Sequence, residues 1–164
     1  MSYVKFILPL PFFFDITLIH FNFLIYMIKK RKKGEKMNNG WKFENIPDLT
    51  GKVIIVTGGN SGLGYEAVKM FSRKNAEVIL ASRNLERGES AKETIKAEFP
   101  NVNIKVMKLD LADLRSVHDF VNSFKRDYDK LDILLNNAGI MWCPYNKTKD
   151  GFESQMGTNH FGHF

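Results

Sequence analysis

The sequence predicts an α/β fold, a doubly wound parallel sheet with helices on both faces. Past residue 48, short apolar runs alternate with longer segments of helical periodicity, which is the pattern of a parallel sheet. The first apolar run also passes through a glycine cluster directly into a helix. The chain of 164 residues has room for one domain, and the pattern extends through about four strands.

Four strands and the helices between them follow in order along the chain. The strands are predicted over 52–57, 77–81, 103–109 and 132–136. The helices are predicted over 62–74, over about 85–98 and after Asp113, whose carboxylate can cap the third of them. A loop then leads into a last helix, which contains Asn159.

The glycine cluster lies between the first strand and the first helix. Residues 57–64 read Thr-Gly-Gly-Asn-Ser-Gly-Leu-Gly. Glycines allow a tight turn and a close approach of a pyrophosphate, and the first helical amides face the anion with the positive end of the helix dipole. The sequence therefore predicts a dinucleotide-phosphate site, with a purely structural turn as the alternative.

Three later motifs follow in a fixed order. Asp110-Leu111 follows the third strand, Asn-Asn-Ala-Gly occupies 136–139, and Thr-Asn-His-Phe-Gly-His-Phe occupies 158–164. With the glycine cluster, they resemble the short-chain dehydrogenases/reductases (SDR family) over about residues 48–164, the N-terminal half only. Residues 81–84, Ala-Ser-Arg-Asn, look most like the branch of retinol dehydrogenases and WW-domain oxidoreductases. The resemblance implies a Rossmann-like NAD(P)-binding domain that is truncated after about four strands.

The resemblance also implies which residues bind the dinucleotide. Asp110 would bond the adenine amino group, or else simply end its strand, and Asn137 would brace the central strand beside the ribose. The predicted cofactor-binding residues are Gly58, Asn60, Ser61, Gly62, Leu63, Gly64, Arg83, Asp110, Leu111, Asn137, Ala138 and Gly139.

Arg83 predicts which dinucleotide the site prefers. A site for NAD usually ends its second strand in a carboxylate, which accepts hydrogen bonds from the ribose 2′-hydroxyl. Here Ser82 stands at that position and Arg83 follows. A guanidinium holds a 2′-phosphate through charge-assisted bonds, whereas a carboxylate repels it. We expect NADP(H) as cofactor and NAD(H) as the less favoured one; a solvated surface arginine is the alternative.

Asn159 is the candidate catalytic residue. The resemblance implies that its helix position holds a water that links the active-site lysine to solvent. The family's reaction also needs a serine and a Tyr-x-x-x-Lys pair on a later helix, and the chain stops at Phe164. The same spacing occurs three times, in each case by coincidence, at Tyr26–Lys30, Tyr65–Lys69 and Tyr145–Lys149. We therefore expect a truncated chain without turnover.

Residues 1–36 form a separate apolar and basic segment. Residues 6–28 are long and apolar enough to span a bilayer, and a basic cluster at 29–33 would then face the cytoplasm. Asp15 makes such a span marginal. The alternative is a spurious or disordered extension, with translation starting at Met37. The predicted location is the cytoplasm, or the cytoplasmic face of the endoplasmic reticulum if the segment inserts.

Charge and composition exclude some partners. The formal net charge is +6, but residues 1–36 hold seven of the 24 Lys and Arg and only two of the 18 acidic residues. The near-neutral remainder predicts no nucleic-acid binding. The single cysteine, Cys143, cannot form an internal disulfide. His160 and His163 have no third ligand nearby, so no metal site is predicted.

Three functions remain open at this point. The first is an NADP(H)-dependent alcohol or carbonyl oxidoreductase, whose lipophilic, retinoid-like or steroid-like substrate is implied only by the branch resemblance. The second is a non-catalytic dinucleotide-binding fragment. The third is a membrane-tethered interaction module that associates, with itself or a partner, through the open edge of the fourth strand.

Overall fold

A four-stranded parallel sheet forms the centre of the unit at residues 47–164. The structure is a computed structural model that describes residues 42–164. The strands are β1 (Val53–Thr57), β2 (Glu77–Ser82), β3 (Asn103–Lys108) and β4 (Ile133–Leu135). They lie in the order β3-β2-β1-β4 and every neighbouring pair is parallel, which confirms the predicted fold class.

Helices connect the strands within one or two residues of the predicted bounds. They are α1 (Gly62–Arg73), α2 (Leu85–Glu98), α3 (Leu114–Asp127) and the short α4 (Ser154–Met156), which continues into a π-helical turn at Gly157–Phe161. The predicted cap of α3 is present, because the Asp113 side chain accepts hydrogen bonds from two backbone N–H groups at its first turn. A single 3₁₀ turn, Phe43–Asn45, lies within residues 42–46.

Both faces of the sheet are buried, which explains the continuous apolar runs in the strands. Every residue of β1 is buried. One face packs against α1 and α2 through a core that includes Ile54, Val56, Val68, Leu80 and Ile95. The other face packs against α3 through a core that includes Ile55, Ile79, Met107, Phe120 and Phe124.

The order of the strands positions the site. The chain lays down β1, β2 and β3 in one direction and then returns to place β4 on the other side of β1. Ligands of open α/β sheets bind at such a reversal, outside the carboxyl ends of the strands. Within the described residues, β4 pairs with β1 alone, so its other edge carries no strand there.

The predicted N-terminal features lie outside the described residues. They are the membrane-spanning stretch at 6–28, the basic cluster that follows it and the alternative start at Met37. Within residues 42–164, no helix combines the length and the apolar character that crossing a membrane requires.

Candidate functional site

The glycine turn between β1 and α1 leaves no room for side chains at two points. Gly58 has a φ of +65°, in the left-handed region that favours glycine. A Cβ at Gly64 would lie 2.5 Å from both the Asn137 Nδ2 and the Gly58 carbonyl oxygen. The Ser61 side chain makes no capping bond at the start of α1, so the amides of this first turn have no side-chain acceptor from the N-cap.

The Thr57 hydroxyl joins the end of β1 to the segment after β4. Its oxygen accepts hydrogen bonds from the N–H groups of Asn137 and Ala138, each at 3.0 Å. The Asn137 side chain donates in turn to the Thr57 carbonyl at 2.9 Å. The bracing role that the resemblance implies for Asn137 therefore has a geometric counterpart, and Thr57, which sequence reasoning left out of the site, shares it.

A cleft of about 380 Å³ opens at the carboxyl ends of the strands. All of the predicted cofactor-binding residues except Gly62 line it. The further lining residues are Thr57, Ala81, Leu109, Ile140 and Thr158. Ile140 and Thr158 were not predicted, because only the strand order brings the loop after β4 and the last helix to this edge.

The end of β2 carries positive charge and no carboxylate. The Ser82 hydroxyl is buried and lies 3.1 Å from the Asn60 Oδ1 and 2.9 Å from the Asn84 carbonyl oxygen. Arg83 is exposed, and the Lys108 ammonium from β3 donates to its backbone carbonyl. Within residues 42–164, neither Arg83 nor Lys108 forms an ion pair with a carboxylate, so the positive charges at this corner are unmatched.

The end of β3 is shaped by local hydrogen bonds. One oxygen of the Asp110 carboxyl accepts a hydrogen bond from the Ala112 N–H at 3.0 Å, and the Asp110 N–H donates to the Ser116 hydroxyl at 2.9 Å. Leu111 is buried beside it. The turn thus holds Asp110 at the cleft, where a carboxyl oxygen can accept from an amino group.

Asn159 lies in the π-helical turn, and its side chain is already engaged. Its amide donates to the Ile140 carbonyl and accepts from the Ile140 N–H, both at 2.8 Å. This pair of bonds fixes the loop after β4 to the last helix. The catalytic role of Asn159 stays a prediction, and π-helical turns inside helices are frequent at functional sites.

The two histidines of the last motif have different surroundings. His160 contacts the rings of Phe161 and Phe164. The His163 Nε2 lies 3.0 Å from the Thr57 Oγ1, and its Nδ1 lies 3.3 Å from the Asn159 carbonyl oxygen. Burial lowers the pKa of His163 below 6.5, partly opposed by the Asn159 carbonyl. The part of the chain that the structure describes holds no cluster of His, Cys, Asp or Glu arranged for a metal.

The residues at this edge fit a dinucleotide. The glycine turn leaves no room for a Cβ, the N-cap side chain accepts no bond from the first turn of α1, and cations stand at the end of β2. These features complement a pyrophosphate and a second anionic group.

Known proteins with similar sequences come from one family. The family model for short chain dehydrogenases matches residues 52–164. Retinol dehydrogenase 12 of Mus musculus is 47% identical over 116 residues, which cover 71% of this chain and 37% of that protein. Retinol dehydrogenase 11 of Homo sapiens is 40% identical over 151 residues, which cover 92% of this chain and 47% of that protein. The chain thus spans less than half the length of these relatives.

Solved structures give the same result. A protein from Mycobacterium paratuberculosis superposes with a TM-score of 0.66 at 42% identity, over 76% of this chain and 43% of that one. A metagenomic short-chain oxidoreductase in complex with NADP superposes with a TM-score of 0.54 at 26% identity, over 58% of this chain and 42% of that one. With its ordered motifs and strand order, the chain belongs to the short-chain dehydrogenase/reductase family, on the branch that resembles the retinol dehydrogenases.

Proposed function

We propose that this chain supplies the cofactor-binding half of an NADP(H)-dependent oxidoreductase that interconverts alcohols and carbonyl compounds. The observation that carries the proposal is the cleft at the carboxyl edge of the sheet, lined by the glycine turn on one side and by Asn137 to Gly139 on the other. A nicotinamide dinucleotide bound there supplies or accepts a hydride. The chain's own residues bind it, orient it and shape the cleft.

The preference for NADP(H) rests on the corner at the end of β2. Arg83 and Lys108 meet there, and no carboxylate stands where a ribose 2′-hydroxyl would be held. Two cations attract a 2′-phosphate, and a guanidinium adds two parallel hydrogen bonds. The relative solved with NADP is consistent with this preference.

The proposed substrate is a lipophilic alcohol or carbonyl compound of the retinoid or steroid kind. Its support is the similarity to proteins named retinol dehydrogenases. Neither Tyr-x-x-x-Lys spacing at Tyr65–Lys69 or Tyr145–Lys149 is proposed to be the catalytic pair. Within the described residues, two Tyr-x-x-x-Lys spacings occur, and each lysine is held elsewhere: Lys69 pairs with Glu98 at 2.6 Å, and Lys149 pairs with Asp113.

The test is a titration of the full chain with NADP⁺ and NAD⁺, read out by calorimetry. We expect tighter binding of NADP⁺. Arg83→Asp should weaken NADP⁺ binding by about tenfold to a hundredfold, the loss of one or two charge-assisted hydrogen bonds, and leave NAD⁺ binding unchanged. The matched control is Arg126→Asp, a charge reversal at an exposed residue of α3. Among the described residues, the Arg126 guanidinium pairs only with the adjacent Asp127. Equal binding of both dinucleotides by the unmodified chain would refute the NADP(H) preference.

A membrane location is a further proposal. The match to human retinol dehydrogenase 11 covers 151 of the 164 residues, whereas residues 37–164 number only 128, so it extends into the N-terminal segment. This supports the view that residues 1–36 belong to the protein, with residues 6–28 as an anchor at the cytoplasmic face of the endoplasmic reticulum. Resistance of the full chain to alkaline extraction from membranes would support the anchor, and complete release would exclude it.

The interaction module remains as a second candidate. Within the described residues, the second edge of β4 carries no strand, and Met141 and Trp142, which follow β4 in the chain, are 74% and 91% exposed. Exposed apolar residues and an open strand edge favour association. Sedimentation of the full chain over a hundredfold range of concentration tests self-association, and a monomer throughout would remove it.

A further inference from the structure

We propose that His163 is a positioning residue of the cofactor cleft. Its neutral ring, with the proton on Nδ1, orients the Thr57 hydroxyl and thereby holds Asn137 and Ala138 in the cleft wall. The inference rests on the proposed function only in taking this cleft as the dinucleotide site.

The Thr57 hydroxyl has four hydrogen-bonding neighbours. A hydroxyl has one proton to donate and two lone pairs that accept. Both lone pairs are taken, because the Asn137 and Ala138 N–H groups each donate to this oxygen at 3.0 Å. The hydroxyl proton must therefore point to the His163 Nε2 at 3.0 Å or to the Leu135 carbonyl at 3.4 Å. The shorter distance favours the histidine.

The other ring nitrogen of His163 also has a hydrogen-bond partner. The His163 Nδ1 lies 3.3 Å from the Asn159 carbonyl oxygen, which can only accept. Nδ1 therefore carries the ring proton, and in a neutral imidazole Nε2 is then the acceptor. The two assignments come from opposite ends of the ring and agree on one tautomer.

Protonation of the His163 ring would disrupt the hydrogen bonds at Thr57. A proton on Nε2 adds a third donor at an oxygen with two lone pairs, so either Asn137, Ala138 or His163 loses its bond to Thr57. Burial lowers the pKa of His163, and the competition for the Thr57 oxygen also disfavours the protonated ring. The ring of His163 is thus held in its neutral form at physiological pH.

The surroundings of the ring carry few other titratable groups. β1 and β4 contribute the Thr57 hydroxyl and the Leu135 carbonyl. The last helix contributes the Asn159 carbonyl and carries His160 one turn earlier. The segment after β3 packs against Gly162 through Leu111 and carries Asp110. Among the described residues, burial and the Asn159 carbonyl are the influences found on the pKa of His163.

The consequence for the cleft follows from its tight walls. A Cβ at Gly58 would lie 3.0 Å from the Ala138 Cβ, and the Asn137 side chain contacts Gly64 closely. A shift of residues 137–138 therefore changes the width of the cleft where the dinucleotide lies. His163, Thr57 and the Asn-Asn-Ala-Gly segment form one hydrogen-bonded unit.

The tautomer is tested directly by NMR of the full chain labelled with ¹⁵N-histidine. The His163 signals are identified by their loss in His163→Gln. We expect the Nδ1–H tautomer and a midpoint of titration below 6.5. The Nε2–H tautomer, or a midpoint at or above 6.5, overturns the proposal. This measurement needs no bound dinucleotide, so its outcome is separate from the success or failure of the proposed function.

The effect on the cleft is tested by NADP⁺ affinity between pH 8 and pH 5.5. His163→Phe keeps a ring but no acceptor, and we expect it to bind about tenfold more weakly at pH 8, the loss of about one hydrogen bond. His163→Gln offers an amide oxygen to Thr57 and should bind within about twofold to threefold of the unmodified chain, since it keeps an acceptor for the hydroxyl proton.

Comparison between variants separates His163 from the ligand, whose own 2′-phosphate titrates near pH 6. The unmodified chain should lose more affinity on acidification than His163→Gln does, and the control His160→Gln should match the unmodified chain. Wild-type affinity and wild-type pH dependence in His163→Phe would refute the positioning role. If His163→Phe does not fold, the difference between His163→Gln and His160→Gln decides the question.

Discussion

The two ends of the same parallel sheet differ in how their polar groups are used. At the amino ends of the strands lies the larger depression, of about 620 Å³. Most of the charged groups that line it pair within the protein: Lys105 pairs with Asp127 at 2.7 Å, Lys130 pairs with Asp132 at 3.4 Å, and the Tyr128 hydroxyl donates to Glu77 at 2.8 Å. Charged groups that already pair within the protein are less available to bind a ligand.

At the carboxyl ends lies a smaller cleft, of about 380 Å³, with polar groups left open. Arg83 has no ion pair among the described residues, and Ser61 caps no amide at the start of α1. In a βαβ fold, helices begin at this edge and direct unpaired N–H groups toward it. We infer from this comparison that unmatched donors and cations, and not the size of a depression, mark the carboxyl edge as the candidate site.

The largest effect expected is from Gly64→Ala. The new methyl group would lie 2.5 Å from the Asn137 Nδ2 and the Gly58 carbonyl oxygen, so the backbone must move. We expect the free energy of unfolding to fall by about 1–3 kcal/mol and NADP⁺ binding to be lost. Chemical denaturation and calorimetry measure the two effects.

The matched control is Gly88→Ala, which places a methyl group 2.6 Å from the Val106 Cγ1 between α2 and β3. We expect Gly88→Ala to lose a similar amount of stability and to retain NADP⁺ binding. That result would show that Gly64→Ala loses binding through damage to the cleft and not through overpacking alone. If Gly64→Ala binds NADP⁺ as the unmodified chain does, the carboxyl edge is not the dinucleotide site.

A smaller effect is expected at the opposite edge from Tyr128→Phe. The change removes the hydrogen bond to Glu77 and leaves its carboxylate without that donor. Because burial and the neighbouring carboxylate raise the pKa of Tyr128, the phenol stays protonated and donating across the neutral range. We expect a loss of about 1 kcal/mol in the free energy of unfolding, with unchanged NADP⁺ affinity. Weaker NADP⁺ binding would mean that the two edges are coupled.

The smallest effect is expected from Asp132→Asn. Burial raises the pKa of this carboxyl, but the Val53 N–H and the ammonium groups of Lys52 and Lys130 outweigh it, so the pKa lies below 3.8. The ionised form therefore stabilises the fold above pH 3.8, and this contribution is lost as the pH falls through the lowered pKa. Its removal should cost about 0.5 kcal/mol at pH 7.

The measurement for Asp132→Asn is denaturation at pH 7 and at pH 3. The difference between variant and unmodified chain should shrink at the lower pH, since the contribution of the ionised carboxyl falls as the pH drops below 3.8 toward the lowered pKa of the folded chain. A difference that is the same at both pH values would show that the ion pairs contribute nothing and that packing explains the change.

Much of the fold was predictable because its signals are local. The strand and helix bounds follow from apolar runs, caps and glycine positions, and they agree with the structure within one or two residues. The last helix agrees less well. Its sequence contains Asn159, but nothing in the local pattern predicts a π-helical turn at Gly157–Phe161. That turn depends on contacts with the loop after β4.

The residues of the candidate site also fall into a predicted group and an unpredicted group. Gly58, Gly64 and Asn137 were predicted because each lies in a motif whose residue types and spacing are typical of dinucleotide binding. Ile140 and His163 were not predicted as partners of Asn159 and Thr57. A possible signal was the spacing of four residues between Asn159 and His163, which allows a ring nitrogen to reach the carbonyl one turn earlier.

The sequence by itself determined the α/β class, the glycine turn and the family, because each depends on residues that are close together in the chain. The tertiary structure alone decided that Thr57 meets His163 across 106 residues, and that Lys108 joins Arg83. Such pairs depend on the strand order β3-β2-β1-β4, which sets distant strand ends side by side. Buried polar groups form hydrogen bonds with whichever groups the packed sheet brings close to them, and no local sequence pattern predicts which groups these are.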